Sequence, residues 1–246
     1  MRPDEALERL LALGFSEDDA RTLFAHFDDA ERRGKLGHGY ARIEWLETLP
    51  GLDPAARPVR AASSPGFEHW EGRGALGYLT LAAICESVLV QPPHPARVIA
   101  ASDCFPTGAL GYWVRLLADA GLVALLTATS PPRLGHPDGG PPLAGTNPLA
   151  IGIPDPKGAP IVVDVSMGKV TYGDVLAGRA RPEELVPFGG EQAYKAFALA
   201  VGLGLFVESF VGEERYGAVM VVADAAFQPA AGFRERAAGV RLPGDA

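Results

Sequence analysis

His38 and Arg42 are two residues of this sequence whose types and spacing suit one kind of reaction. His38 lies between two glycines before a predicted helix, and Arg42 follows one helical turn later, so both can face the same space. A histidine can protonate a carbonyl oxygen, and an arginine can bind a carboxylate with two parallel hydrogen bonds. The pair suits a 2-oxo or 2-hydroxy acid, although spacing alone favours an exposed histidine and a surface arginine paired with Glu44 or Glu47.

Five other polar residues stand where the chain turns, where a strand ends or within an apolar helix. Thr146 and Asn147 precede a predicted strand, and their side chains can orient a ligand or bond their own turn. Asp164 closes an apolar strand and Asp174 follows a glycine; such an acid can hold a ribose, orient a histidine or cap the next helix. Lys195 can reach a phosphate or a substrate oxygen, but extension into solvent is the commoner outcome.

The elements that must position these residues alternate between helices and short strands. Apolar residues at helical spacing predict two helices within 4–33, a third over 40–49 and a fourth over 74–90. The proline-rich residues 53–72 predict an extended connection with room for one edge strand. This alternation predicts an α/β or mixed α+β fold, without fixing the order of the strands. Further along, strands are predicted at 97–101, 122–127, 149–153, 161–165 and 217–223, and helices at 108–120 and 191–211.

The segment from Gly72 to Gly77 matches the G-x-G-x-x-G pattern of dinucleotide-binding turns. That mechanism needs a strand before the glycines and an acidic residue about twenty positions later. Residues 65–71 do not resemble a hydrophobic strand, and the later positions carry Gln91 and Pro92. The match is therefore interpreted as chance, with the glycines serving the start of a helix.

Composition excludes several classes of protein. The chain has 246 residues, of which 48% are hydrophobic and 21% charged, as in ordinary globular proteins. A net charge of -8 argues against general nucleic-acid binding. No stretch is clearly a membrane span, and no metal site is predicted. The sequence has only two cysteines, Cys85 and Cys104, which favours a cytoplasmic location without disulfides.

Several short motifs occur in an order that resembles the malate/L-lactate dehydrogenase family, which is unrelated to the Rossmann-type lactate dehydrogenases. That family also includes sulfolactate and ureidoglycolate dehydrogenases, diketogulonate reductase and reductases of cyclic imino acids. The ordered set spans nearly the whole chain, and the order makes the resemblance specific. The motifs are 30–34, 38–42, 108–113, 137–140, 145–154, 164–166, 173–174, 187–190 with Lys195, and 241–245.

The resemblance implies reversible hydride transfer between NAD or NADP and a small 2-oxo acid or cyclic imino acid, in a usually dimeric enzyme without a Rossmann motif. His38 would be the proton donor, Asp174 would help to polarise it, and Arg42 would bind the substrate carboxylate. Thr146 would contact the substrate. The residues that would line the cofactor are Gly108, Ala109, Leu110, Asp164, Val165, Ser166 and Lys195.

The chain also departs from the family pattern. The serine that normally precedes the catalytic histidine is Gly37, and a histidine that often precedes the Gly-Ala-Leu stretch is Pro106 or Thr107. The chain is shorter than typical members, mainly between 174 and 187 and after residue 212. Such losses can lower a rate by orders of magnitude without abolishing the fold. A homologue that binds a nucleotide or small acid without turnover is therefore the alternative hypothesis.

The resemblance also suggests a division of the chain. Residues 1–60 are expected to form a helical segment on the substrate side, with residues 190–246 nearby. Residues 61–189 are expected to form the α/β domain that binds the cofactor. The expected partners are a small-molecule substrate and a second copy of the chain, with no nucleic acid and no membrane.

Overall fold

The structure is a computed structural model that describes residues 1–213, 215–225, 227 and 230–245. Helices and short strands alternate along most of its length. The α-helices are α1 (Pro3–Ala12), α2 (Glu17–Arg32), α3 (Ala41–Leu46), α4 (Gly77–Val90), α5 (Leu110–Asp119), α6 (Tyr172–Leu176), α7 (Ala193–Val211) and α8 (Ala230–Arg236), and 3-10 helices occur at Leu36–His38, Pro182–Glu184 and Gly190–Gln192. The strands are β1 (Val59–Ser64), β2 (Phe67–Glu71), β3 (Ala96–Ser102), β4 (Leu122–Ala128), β5 (Leu149–Ile153), β6 (Ile161–Val165) and β7 (Gly217–Asp224).

The seven strands form one mixed sheet in the order β1-β2-β3-β7-β4-β5-β6. Only β2 and β3 pair in parallel; the other neighbouring strands are antiparallel. The late strand β7 lies in the centre, with Val221 opposite Val98 of β3 and Leu125 of β4. This arrangement confirms the predicted mixed α/β class without a Rossmann topology.

The amino-terminal helices share one hydrophobic core with α4, α5 and one face of the sheet. Ser16 caps α2 because its Oγ accepts the backbone N–H of Asp19 at 3.2 Å. Along α2, Leu23 and Phe27 are fully buried, as the helical spacing of apolar residues predicts. Trp113 of α5 is buried in the same cluster, so the core joins α2 to the strands beneath α5.

Helix α7 covers part of the sheet and contacts β7, β3 and β4. Small residues face the strands: Ala196, Ala200 and Gly204 are buried, which brings the helix close to the sheet. By length and composition alone, the helical segment 190–211 is apolar enough to cross a membrane, with a mean hydropathy of 1.5 and 22% of that window buried. The absence of a membrane partner stays a prediction.

Most predicted elements are confirmed, but the chain before α4 is more ordered than predicted. Residues 53–72 contain a hairpin formed by β1 and β2. Strand β1 is largely exposed, whereas Glu68 and Trp70 of β2 are buried. The prediction that no hydrophobic strand precedes the glycine motif is therefore wrong. The glycines nevertheless serve close packing, since a Cβ at Gly77 would lie 2.7 Å from the Pro106 carbonyl oxygen.

The division into 1–60 with 190–246 and 61–189 stays a prediction. The carboxy-terminal strand β7 pairs with β3 and β4, so the two parts share one continuous sheet. Residues 35–46 contact α6 through the 3-10 helix and α3. Any site between the two parts is therefore held by the sheet and these contacts together.

A buried ion pair anchors β2 to β3. The carboxylate of Glu68 lies 3.1 Å from the Arg97 guanidinium, and the two side chains are 3% and 13% exposed. The indole N–H of Trp70 donates to the same carboxylate at 3.0 Å. Removal of one partner from a buried pair leaves the other charge without compensation, which is more costly than the loss of a surface pair.

We therefore expect Glu68→Ala to lower the free energy of unfolding by about 3–5 kcal/mol, because Arg97 would stay buried without its carboxylate. Glu71→Ala on the same strand is the matched control, since its partner Arg73 is 60% exposed. It should cost at most about 1 kcal/mol. Urea denaturation of both variants measures the difference, and equal costs would contradict the proposed contribution of the buried pair.

Candidate active site

A cavity of about 270 Å³ collects residues from stretches far apart in the sequence. One wall comes from the 3-10 helix Leu36–His38 and α3, and the opposite side comes from the loops that flank β4, β5 and β6. The lining residues are Lys35, Gly37, His38, Arg42, Trp45, Phe105, Pro106, Thr107, Gly108, Ala109, Thr129, Ser130, Arg133, Thr146, Pro148, Asp164, Ser166, Thr171, Tyr172 and Asp174.

His38 and Arg42 both line this cavity. Arg42 is 9% exposed, its Nε donates to the Gly37 carbonyl at 2.9 Å, and its guanidinium carbon lies 5.2 Å from the centre of the Trp45 ring. These contacts fix the guanidinium inside the protein. The interpretation of Arg42 as a surface residue paired with a nearby glutamate is therefore wrong.

The imidazole of His38 is held in its neutral form. Burial first, and then the positive charges of Arg42 and Lys35, lower the pKa of His38 to about 3, against an opposing effect of Asp174. Its Nδ1 is buried and has no hydrogen-bond partner among the described residues. A neutral imidazole donates one hydrogen bond and accepts another, so His38 can hold a ligand oxygen at pH 7, and it takes up a proton before it transfers one.

Asp174 takes one of the predicted alternatives, the capping of a helix. It caps α6: its Oδ2 accepts the backbone N–H of Thr171 at 2.9 Å and the Thr171 hydroxyl at 2.6 Å. The same carboxylate borders the cavity and raises the pKa of His38. The hydrogen bonds to Thr171 fix the position of a negative charge near His38.

Two glycines allow the 3-10 helix and α6 to approach closely. A Cβ at Gly37 would lie 2.5 Å from Oδ1 and 2.8 Å from the backbone nitrogen of Asp174. A Cβ at Gly173 would collide with the Gly37 carbonyl and lie 2.7 Å from Nη2 of Arg42. From the family pattern Gly37 is interpreted as the loss of an orienting hydroxyl, whereas in the structure this position has no room for a side chain.

The expected cofactor residues separate into two groups. Gly108, Ala109, Asp164 and Ser166 line the cavity. The Asp164 carboxylate lies 2.5 Å from Nζ of Lys35, which spacing along the chain did not reveal. The other three lie outside the lining: Leu110 is fully buried, Val165 is 40% exposed, and exposed Lys195 donates to Gln192 at 2.7 Å.

Thr146 lines the cavity, whereas Asn147 next to it has a structural role. The hydroxyls of Thr146 and Ser130 lie 3.4 Å apart, and Ser130 Oγ accepts the Thr146 N–H at 3.1 Å. Asn147 donates its side-chain amide to the Ala200 carbonyl at 2.8 Å and accepts the Ser130 N–H at 3.2 Å. The turn therefore joins α7 to the loop after β4.

His26 packs against Gly108 and Ala109 of the cavity wall and was not among the predicted site residues. Its Nε2 accepts the Ala109 N–H at 3.1 Å, and a Cβ at Gly108 would collide with its ring. Burial lowers the pKa of His26 to about 3, which keeps Nε2 free to accept. The available signal was a histidine on the apolar face of α2, three residues after Leu23 and next to Phe27.

Several other lining residues were missed because their elements meet only in three dimensions. Trp45 follows Arg42 by one helical turn, so the periodicity that paired His38 with Arg42 could have included it. Arg133 comes from the loop after β4 and Tyr172 from the start of α6, and no pattern within either segment marks them.

The fold and this cavity define an α/β protein with a site suited to a small carboxylate. The sequence profile of the malate/L-lactate dehydrogenase family matches residues 4–190. The chain belongs to the malate/L-lactate dehydrogenase family, as its motifs predict.

Two curated relatives illustrate the range of the family. The (2R)-3-sulfolactate dehydrogenase (NADP(+)) of Chromohalobacter salexigens is 27% identical over 73% of this chain and 55% of its own length. The Delta(1)-pyrroline-2-carboxylate/Delta(1)-piperideine-2-carboxylate reductase of Pseudomonas syringae pv. tomato is 31% identical over 75% of this chain and 55% of its own length. The chain thus spans about half the length of these relatives.

The fold is shared with solved structures. A dehydrogenase from Sinorhizobium meliloti superimposes with a TM-score of 0.80 at 22% identity, and the match covers all of this chain and 86% of the other. This similarity concerns the fold alone.

We expect Gly37→Ala to destabilise the protein by about 1–3 kcal/mol, because the added methyl group would overlap the Asp174 carboxylate and force the two elements apart. Gly202→Ala is the matched control: a Cβ there meets nothing within 4 Å, and alanine favours the helix. Thermal unfolding should show a lower Tm for the first variant and an unchanged or higher Tm for the second. Equal Tm values would contradict the close approach.

Proposed function

We propose that the protein is an NAD(P)H-dependent oxidoreductase that reduces a small 2-oxo acid or a cyclic imino acid. The observation that carries this proposal is the shared cavity of His38 and Arg42, in which the guanidinium is buried and fixed. Both residue types are needed in one space if a carbonyl or imine is to be protonated beside a bound carboxylate.

Residues on the far side of the cavity suit the nicotinamide part of the cofactor. Asp164 and Ser166 offer a carboxylate and a hydroxyl, and Gly108 and Ala109 offer a close backbone surface. When bound, the cofactor supplies the hydride. At about 270 Å³ the cavity suits a small acid with the reacting ring, so the rest of a dinucleotide would extend beyond it.

The side chains of this site have distinct proposed roles. Arg42 binds the substrate carboxylate, and Thr146 contacts the substrate from the opposite loop. His38 takes up a proton from solvent and transfers it, as an imidazolium, to the carbonyl oxygen or imine nitrogen. Asp174, held by Thr171, favours the imidazolium form of His38. Burial opposes that form and lowers the pKa of His38 to about 3, so the proton is weakly held and readily transferred.

A second candidate is a homologue that binds a nucleotide or small acid without turnover. It is favoured by Pro106 and Thr107, which line the cavity where the family often has a histidine. It predicts binding of NADPH or NADH with no change in absorbance when acids are added, so the two candidates separate in one assay.

We also propose a cytoplasmic location and a homodimer. Cys85 and Cys104 are free and buried, as suits a reducing compartment. The outer face of α7 presents apolar side chains to solvent, which favours burial against a second copy. These side chains, which are 40–59% exposed, are Tyr194, Leu199, Leu205, Phe206 and Phe210.

We expect His38→Ala to lower kcat by about 10²–10⁴-fold with little change in NADPH affinity, since only the proton donor is lost. We expect Arg42→Ala chiefly to raise KM, by about tenfold to a hundredfold, because a charge-assisted contact to the carboxylate is lost. NADPH and NADH absorbance with pyruvate, oxaloacetate and piperideine-2-carboxylate measures both effects.

The matched controls are His94→Ala and Arg179→Ala, which remove the same groups from exposed positions outside the cavity. They should leave both constants within about twofold. An unchanged KM in Arg42→Ala would contradict the carboxylate assignment. Cofactor binding without turnover on any acid would favour the second candidate.

We expect light scattering after gel filtration to give twice the chain mass of 25.8 kDa. Leu205→Glu should shift the protein toward the monomer, because a charge would be buried at the contact. Val90→Glu, at an 81% exposed position on α4, is the control and should leave the mass unchanged. A monomeric wild-type protein would contradict the homodimer.

A further inference from the structure

Arg133 is a second arginine in the wall of the cavity and has no role in the function proposed above. It lies in the long loop between β4 and β5, which is closed by a bridge between Leu134 and Ala144. The backbone N–H of Arg133 donates to the Ala144 carbonyl at 2.8 Å, and Leu134 beside it is fully buried. The backbone of Arg133 is therefore fixed beside the cavity.

The guanidinium of Arg133 lies over the Tyr172 ring and retains N–H groups that can donate further hydrogen bonds. Its central carbon lies 3.7 Å from the centre of the Tyr172 ring, close enough for a stacked cation–π contact. Nη1 reaches the Pro131 carbonyl at 3.4 Å, a long hydrogen bond. In the described part of the chain no carboxylate lies within 4.0 Å of it. The remaining N–H groups are available for an anion.

Two arginines that line the cavity are not paired with a carboxylate among the described residues. Lys35 is paired with Asp164, and the Asp174 carboxylate accepts hydrogen bonds from Thr171. Arg42 and Arg133 have no carboxylate partner among the described ion pairs. The cavity is thus cationic in a protein whose net charge is -8, and the guanidinium-bearing residues Arg42 and Arg133 both line it.

We propose that Arg133 is a second anion-binding residue, which makes the site selective for 2-oxo acids that carry another anionic group on their side chain. The proposal rests on the proposed function, because it assigns the 2-carboxylate to Arg42. The side-chain anion, a carboxylate or a sulfonate, accepts two parallel hydrogen bonds from the guanidinium that Tyr172 holds in place.

This arrangement also disfavours the alternative substrates. A cyclic imino acid or pyruvate has one carboxylate, which Arg42 takes, and its apolar remainder would lie against the Arg133 guanidinium. Such a ligand would remove water from the cation without replacing the lost hydrogen bonds. Discrimination therefore comes both from the contact that a dianion makes and from the mismatch that a monoanion suffers.

Binding of malate and lactate tests the proposal without requiring turnover. The two hydroxy acids both carry a 2-carboxylate, and malate adds a carboxylate in place of a lactate hydrogen. Trp45 lines the cavity, so the intrinsic fluorescence of the full chain can report both ligands, with and without NADP⁺. We expect malate to bind the wild-type protein at least tenfold more tightly than lactate.

Arg133→Gln should reduce this preference to within threefold, by weakening malate binding and leaving the lactate affinity unchanged or slightly higher. Arg179→Gln, an exposed arginine outside the cavity, is the matched control and should keep the full preference. Arg133→Lys retains the charge but not the paired donors, and should give an intermediate preference if the glutamine variant does not fold. Equal binding of malate and lactate by the wild-type protein overturns the proposal.

Turnover of oxaloacetate against pyruvate provides a second measurement. Arg133→Gln should raise KM for oxaloacetate at least tenfold, with kcat within twofold and the pyruvate KM unchanged or lower. An unchanged oxaloacetate KM overturns the proposal while the proposed function stands. A loss of NADPH affinity in its place assigns Arg133 to a cofactor phosphate and also overturns it. If no acid is turned over, the proposed function fails, and the malate preference still decides the role of Arg133.

Discussion

The site depends on the close contact between the 3-10 helix Leu36–His38 and α6. Backbone meets backbone there because Gly37 and Gly173 have no side chains. The contact sets the Gly37 carbonyl where it accepts Nε of Arg42, and it brings the Asp174 carboxylate beside His38. His38, Arg42 and Asp174 are thus positioned by one backbone approach, which is more rigid than contacts between long side chains.

Positive charge and burial act in the same direction on His38 in this cavity. An acidic protein holds two arginines without carboxylate partners in its described cavity wall, which attracts anions that the outer surface repels. The same positive charges, together with burial, keep His38 neutral. A neutral imidazole does not compete with Arg42 for an anionic ligand.

Much of the fold could be predicted from local patterns, because helical spacing and short β-branched runs depend on neighbouring residues. The helix of Leu23 and Phe27 and the strand of 161–165 are examples. The hairpin before α4 was missed because β1 is polar and exposed, so its sequence lacks a hydrophobic alternation. The central position of β7 could not be derived either, since strand order depends on contacts between distant segments.

For the site, His38 and Arg42 could be paired because one helical turn separates them. Lys35 and Asp164, by contrast, are 129 residues apart, and their ion pair forms only when the elements assemble. From the sequence alone, Gly37 is interpreted as the loss of a serine hydroxyl. The contact with Asp174 gives the glycine a steric cause, since a side chain would not fit there. Residues that act through close packing are therefore the ones that spacing along a chain explains least.

The central position of β7 has a consequence for the order in which the protein matures during synthesis. Strands β3 and β4 each pair with β7 and not with each other. A ribosome therefore releases most of the chain before the strand that unites the sheet emerges. Until then β3 and β4 each lack a neighbour on one side, and such open edges favour association with other nascent chains. Chaperone dependence during translation would reflect this topology, independently of the chemistry of the site.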